Sequence, residues 1–189
     1  MKKSIDQPII SATEADWSRE KLSNWWHPAA QLLKAIRSYQ KWQHTGGIIG
    51  SIWRGWCVLN YRFWSVIAGT DIPINTPIGG GLLMPHPNGI VMHPSVSIGV
   101  NCLILQQVTL VEGVKLGGHV DIGAGAKIIR PVTIGNHAKI GANAVVICDV
   151  PSGATAVGVP AKIILASASS TNTSEISHYN SSLEPTQLN

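Results

Sequence analysis

Residues 96–146 read VSIGVNCLILQQVTLVEGVKLGGHVDIGAGAKIIRPVTIGNHAKIGANAVV, with an aliphatic side chain at every sixth position. Ile98, Ile104, Leu110, Leu116, Ile122, Ile128, Ile134, Ile140 and Val146 follow one another without a gap. Two places before each stands a small or medium apolar residue: Val96, Cys102, Val108, Val114, Val120, Ala126, Val132, Ala138 and Ala144. A period of six matches neither the 3.6 of a helix nor the alternation of an ordinary strand, and its persistence marks a repeat architecture. Three such sides close a triangular coil, and stacked coils then pair as parallel strands about 4.8 Å apart. Gly99, Gly117, Gly123, Gly135 and Gly141 directly follow the aliphatic position. They are expected to take the backbone angles that a recurring tight corner needs and a side chain forbids.

Upstream, the phase reappears at Ile78-Gly79, Met84 and Ile90, and the longer step from Ile90 to Ile98 places a two-residue bulge near Met92-His93-Pro94. Residues 71–165 hold no Phe, Trp or Tyr, as a narrow prism packed with Ile, Val, Leu and Ala requires, and all seven Trp precede residue 65. Residues 1–70 form an N-terminal helical segment. Pro28 to Ile36 places Leu32, Leu33 and Ile36 on one helical face, Gly46-Gly47 breaks the helix, and Ile48 to Val66 puts Ile52, Trp56, Leu59 and Phe63 on one stripe. That stripe reads either as a cap on the end of the solenoid or as an aromatic, basic surface for peripheral membrane contact. Residues 166–189 turn to Ser, Thr and Asn and are expected to be a disordered polar tail.

Residues 1–70 carry nine Lys/Arg against four Asp/Glu, and residues 71–165 five against four. So modest an excess, without a basic run, excludes a nucleic-acid binder and suits a phosphate-bearing ligand or a membrane surface. Cys57, Cys102 and Cys148 have no CxxC spacing and an odd count, which fits free thiols in a cytoplasmic protein. Met1-Lys2-Lys3 is followed by Asp6, Glu14 and Asp16 rather than an apolar stretch, so no signal peptide is expected. Gly46 to Thr70 is interrupted by Arg54, Asn60 and Arg62 and falls short of a membrane span. The localisation read from these features is cytoplasmic, with the inner membrane surface as the alternative setting.

Four motifs in order resemble the serine acetyltransferases of the hexapeptide-repeat acyltransferase family: Asp71-Ile72-Pro73, Met84-Pro85-His86-Pro87-Asn88-Gly89-Ile90-Val91, Ile122-Gly123-Ala124-Gly125-Ala126-Lys127 and Gly158-Val159-Pro160-Ala161-Lys162. The resemblance covers roughly residues 30–165. It implies a left-handed parallel β-helix over residues 71–165, a homotrimer, and acetyl-CoA as co-substrate with no metal. It also implies that His86 is the general base and that Asp71, at the family's spacing upstream of it, supports it. By the same resemblance acetyl-CoA lies in a groove between neighbouring subunits, with Ala124 and Ala142 at the small-residue positions and Lys139 and Lys162 as candidates for the CoA phosphates.

The chemistry supports those roles independently. A hydroxyl is a poor nucleophile at neutral pH, so its attack on a thioester needs a base that takes the proton, a contribution of about 10²- to 10⁴-fold. Histidine suits that task, and a carboxylate on its other ring nitrogen fixes the tautomer and stabilises the imidazolium. The plainer alternatives are a turn histidine between prolines for His86 and a cap between helix and solenoid for Asp71. Lys139, one full coil after Asp121, also reads as half of a surface ion pair. His119 and His137, likewise one coil apart, should stack at one corner, and neither has the closely spaced second histidine that the zinc-binding relatives of the fold use. His93, in the expected bulge, is a candidate substrate contact.

Two departures bear on the acceptor. Pro85 replaces the Asp that precedes the catalytic His in the serine acetyltransferases. Val108-Thr109-Leu110 then runs in unbroken phase to Leu116, without the inserted loop and Arg-His pair that help that family hold serine. The sequence therefore leads to an O-acetyltransferase acting on a sugar or glycan hydroxyl, as in polysaccharide biosynthesis, with serine O-acetylation as the alternative acceptor chemistry. A non-catalytic solenoid scaffold is the reading from another class.

Overall fold

The computed structural model describes residues 10–21 and 25–165; the Ser/Thr/Asn tail lies outside them. A 3-10 turn spans Trp17–Glu20, and two helices follow, α1 at Pro28–Trp42 and α2 at Gly47–Ala68. His27 caps α1, its Nδ1 accepting from the Ala30 N–H at 3.4 Å, and Pro28 at the first helical position has no N–H to leave unpaired. Leu32, Leu33 and Ile36 are buried as their spacing predicts. Gly69, in the left-handed conformation, ends α2 by donating its N–H to the Ser65 and Val66 carbonyls.

From Asp71 to Ile164 the chain is a three-faced parallel β-solenoid. On the first face Asp71, Val91, Thr109, Lys127 and Val145 stand in register. On the second stand Ile78, Ile98, Leu116, Ile134 and Val150. On the third stand Leu83, Leu103, Asp121, Lys139 and Thr155, with Lys162–Ile164 returning antiparallel alongside Thr155–Val157. Each two-residue strand buries its second residue, and the inward Ile, Leu, Val and Ala side chains form one continuous core.

Two features differ from the sequence reading. Along the middle of the solenoid the register advances by three sides of six, as from Val91 to Thr109 and on to Lys127. In the first coil it advances by two positions more, since Asp71 pairs with Val91 and Ile78 with Ile98. The extra pair therefore lies between Met84 and Met92, in the turn Pro85-His86-Pro87-Asn88-Gly89, and not at Met92-His93-Pro94. Ile90 fills the inward place two before Met92, as Val96 does before Ile98. Both Ile90 and Met92 are apolar and buried, so the period alone leaves the phase ambiguous.

The glycines after the aliphatic positions also act differently from expectation. The left-handed corner residues are Asn101, His119, His137, Gln107 and Asn143, with Gly81, Gly89 and Gly125 in the same columns. Gly99, Gly117, Gly123 and Gly135 are required instead by close approach. A Cβ on Gly99 would collide with the Gly117 carbonyl, and one on Gly123 would fall 2.5 Å from the Ala142 nitrogen.

Residues 11–20 form an arm laid on the corner between the second and third faces. Asn101, fully buried, accepts from the Asp16 N–H at 2.8 Å and donates to the Ser11 and Glu14 carbonyls at 2.8 and 2.7 Å. Glu20 accepts from the Gly81 and Leu82 N–H groups and pairs with Arg37, which also donates to the Ile78 and Gly79 carbonyls. Gly118 leaves space that the Ala12 carbonyl occupies.

Candidate active site

The widened turn Pro85–Gly89 is where the solenoid departs most from its own period ahead of its final coil, and it holds His86. Pro85 and Pro87 fix φ on both sides of the histidine. Gly89, at φ 73, donates its N–H to the Gly69 carbonyl at 2.7 Å and so ties the turn to the end of α2. The His86 ring is exposed.

Asp71 opens the first face, one coil below. Its N–H donates to the Ile90 carbonyl at 2.8 Å, and its own carbonyl accepts from Met92 at 2.9 Å. Its flanks are pinned from α2, where the Ser65 hydroxyl donates to the Thr70 carbonyl at 2.7 Å and the Tyr61 hydroxyl to the Ile72 carbonyl at 2.8 Å. Burial and the nearby Asp71 carboxylate push the Tyr61 phenol above its ordinary range. The structure therefore brings Asp71 and His86 to one edge of the molecule, on segments bonded to each other through Ile90 and Gly89, without a hydrogen bond between their side chains. Such bonds commonly tighten only when substrate is present. Tyr61 and Ser65 escape the sequence reading, because nothing in a helical pattern announces a bond to the backbone of the next element.

Ala124 and Ala142 stand in the same corner column as the His86 turn. A backbone ladder runs Gln107 N–H to Asn88 carbonyl at 2.9 Å, Gly125 to Gln106 at 2.8 Å and Asn143 to Ala124 at 2.8 Å. Asn88, Gln106, Ala124 and Ala142 thus follow one another up this column, with the two alanines above Gln106. Lys139 and Lys162 project from the adjoining third face, both exposed. Asp121 is the register partner of Lys139, but the two do not close into an ion pair.

His93 is at the other end of the first face, away from the widened turn. Its Nδ1 accepts from the Ser95 N–H at 3.2 Å and lies 2.9 Å from the Ser95 hydroxyl, so the neutral ring carries its proton on Nε2. His119 and His137 occupy a different corner, Nδ1 to Nδ1 at 2.8 Å, and burial is the main cause lowering the His119 pKa. Among the described residues no group of three or more His, Cys, Asp or Glu is placed to hold a metal ion. Cys57, Cys102 and Cys148 are free, and burial pushes the Cys102 thiol up to about 11.

No protein-family model matches the chain. It is 36% identical over 107 residues to the serine acetyltransferase of Synechococcus elongatus, covering 52% of this chain and 44% of that one. It is 41% identical over 106 residues to that of Helicobacter pylori strain J99, covering 52% and 62%. Among solved structures, a serine acetyltransferase in complex with CoA superposes with a TM-score of 0.62 at 33% identity, over 74% of this chain and 58% of that one. The Neisseria gonorrhoeae serine acetyltransferase in complex with serine gives 0.61 at 32%, over 74% and 57%. Its homologues are serine acetyltransferases. The fold they share is the left-handed β-helix of the hexapeptide-repeat acyltransferases, as the motifs implied. The chain spans about half the length of the curated relatives it matches.

Proposed function

We propose that this protein is an acetyl-CoA-dependent O-acetyltransferase in which His86 is the general base and Asp71 its supporting carboxylate. The observation that carries the reading is the His86 turn itself: the widened corner shares a column with Ala124 and Ala142, two and three coils up, in a molecule that resembles serine acetyltransferases. His86 takes the proton of the acceptor hydroxyl as its oxygen bonds to the acetyl carbonyl carbon. The carbon–sulfur bond breaks, and His86 returns the proton to the leaving thiolate of CoA. Asp71 orients the ring and stabilises the imidazolium between those two transfers. Ala124 and Ala142 leave room for the pantetheine arm and Lys139 and Lys162 take the phosphates, while His93, at the far end of the first face, has no part in this step. A homotrimer supplies the second wall of the groove.

Serine is the acceptor this reading favours, because the relatives and solved neighbours are serine acetyltransferases. The comparisons give no support to the glycan acceptor to which the sequence alone leads. One observation keeps a sugar hydroxyl as second reading. The strand Thr109–Leu110 passes directly to Lys115–Leu116, with no loop to bring charged groups to a small zwitterion.

Thiol release from acetyl-CoA, with and without L-serine, tests both. Rapid serine-dependent release that is lost in His86→Ala is the expected result. CoA binding without release on serine would overturn the serine acceptor and move the search to sugars. Release unchanged by His86→Ala would overturn the catalytic assignment, and no release with any hydroxyl acceptor would leave the solenoid as scaffold.

A further inference from the structure

Helix α2 has two apolar faces, and among the described residues only one of them is covered. Gly50, Cys57, Trp64 and Ala68 are buried on the inner side. On the outer side Ile49, Ile52, Trp56, Leu59, Phe63 and Val66 follow one another at alternating steps of three and four, all exposed: Ile49 by 83%, Val66 by 80% and Trp56 by 61%. The sequence reading of Ile52, Trp56, Leu59 and Phe63 as a cap on the solenoid is thereby corrected, since their stripe faces away from it. The helix is roughly 33 Å long, and unbroken apolar surface of this extent marks a binding face. No helix among the described residues is long and apolar enough to cross a membrane.

We propose that the outer face of α2 lies on an anionic lipid bilayer and attaches the protein to it peripherally. Charge selects this occupant over a second copy of the chain. Helix α2 carries Arg54 and Arg62 and no Asp/Glu, so two such helices face to face would offer one another only like charge. A surface of phosphate-bearing lipids offers the complement. Width points the same way. Ile48, Trp53 and Ile67 flank the stripe and are exposed with it. A helix-to-helix seam is narrow, whereas a face this broad and rich in tryptophan suits the headgroup boundary. Nothing in the proposal depends on the acetyl-transfer chemistry.

Flotation of the full chain with vesicles tests it, using phosphatidylcholine alone and phosphatidylcholine mixed with phosphatidylglycerol. The protein is expected to float with the anionic vesicles, to lose most of that binding in high salt, and to shift its tryptophan emission to the blue. The variant Ile52→Ser/Leu59→Ser/Phe63→Ser, all at exposed positions, is expected to keep its thermal transition and bind at least about 100-fold more weakly. Arg62→Glu is expected to weaken binding to the anionic vesicles about tenfold. Absence of flotation with either composition overturns the proposal, as does binding that survives the triple substitution. A triple variant that instead lowers the oligomeric mass of a chain indifferent to vesicles overturns it too, and assigns the face to a second copy.

Discussion

Two corners of the solenoid are built alike and finished differently. Between the second and third faces, Gly81, Asn101, His119 and His137 stack in left-handed conformations; between the third and first, Gly89, Gln107, Gly125 and Asn143 do the same. The first column is covered by the N-terminal arm, which Asn101 holds through three hydrogen bonds. The second has no such cover among the described residues and is the one widened at His86. The repeat thus supplies identical geometry at both corners, and the segments that cover or widen a corner decide which of them is free to bind.

The largest effect that would break this comparison is catalytic. His86→Ala is expected to lower thiol release by about 10²- to 10⁴-fold, while His119→Ala at the other corner leaves the rate within about twofold; comparable losses at both would end the distinction. Next comes stability. Asn101→Ala strands the arm's buried polar groups and is expected to cost about 2 kcal/mol, read as a lower denaturant midpoint with KM unchanged. A rise in the KM for acetyl-CoA instead would mean that the covered corner takes part in binding. Third, Ala142→Leu narrows the open corner and is expected to raise the KM for acetyl-CoA about tenfold, equivalent to about 1.4 kcal/mol, with the thermal midpoint preserved.

The smallest effect is a pH dependence. Burial holds the His119 pKa below its ordinary 6.5. As pH falls through that value, the unfolded chain therefore takes up a proton that the folded chain resists. The stability owed to neutral His119 is full above the ordinary pKa and is lost on the acid side. His119→Asn, which tolerates the left-handed backbone, is expected to flatten the acid-side decline in thermal midpoint. An unchanged slope would place the titration elsewhere.

The interior of the solenoid is legible in the sequence because burial there depends on spacing alone: Ile98 to Val146 sit inward as their period requires. Where two apolar residues compete for one place, as Ile90 and Met92 do, spacing cannot decide, and the extra pair reads as following Met92 when it belongs to the His86 turn. The candidate residues His86, Asp71, Ala124 and Ala142 can be named from motifs, but their gathering at one edge comes from coil stacking, which a linear pattern records only once the register is right. The arm is not legible at all. Ser11, Glu14 and Asp16 look like ordinary polar linker residues, and their partner Asn101 is 85 to 90 positions away. In α2 the stripe can be read, yet its neighbour cannot, because Cys57 and Trp64 form a second face equally fit to be buried.

The separation between the arm and Asn101 also sets an order of assembly during synthesis. Residues 11–16 leave the ribosome first, but the side chain that clasps them is made 85 to 90 residues later, a delay of roughly 5 to 20 s at ordinary elongation rates. The coils from Asp71 onward can stack one upon the next as they emerge, each needing only its predecessor. The arm, the earliest part of this clasp to be made, is therefore among the last parts to come to rest, and it closes over coils that have already formed.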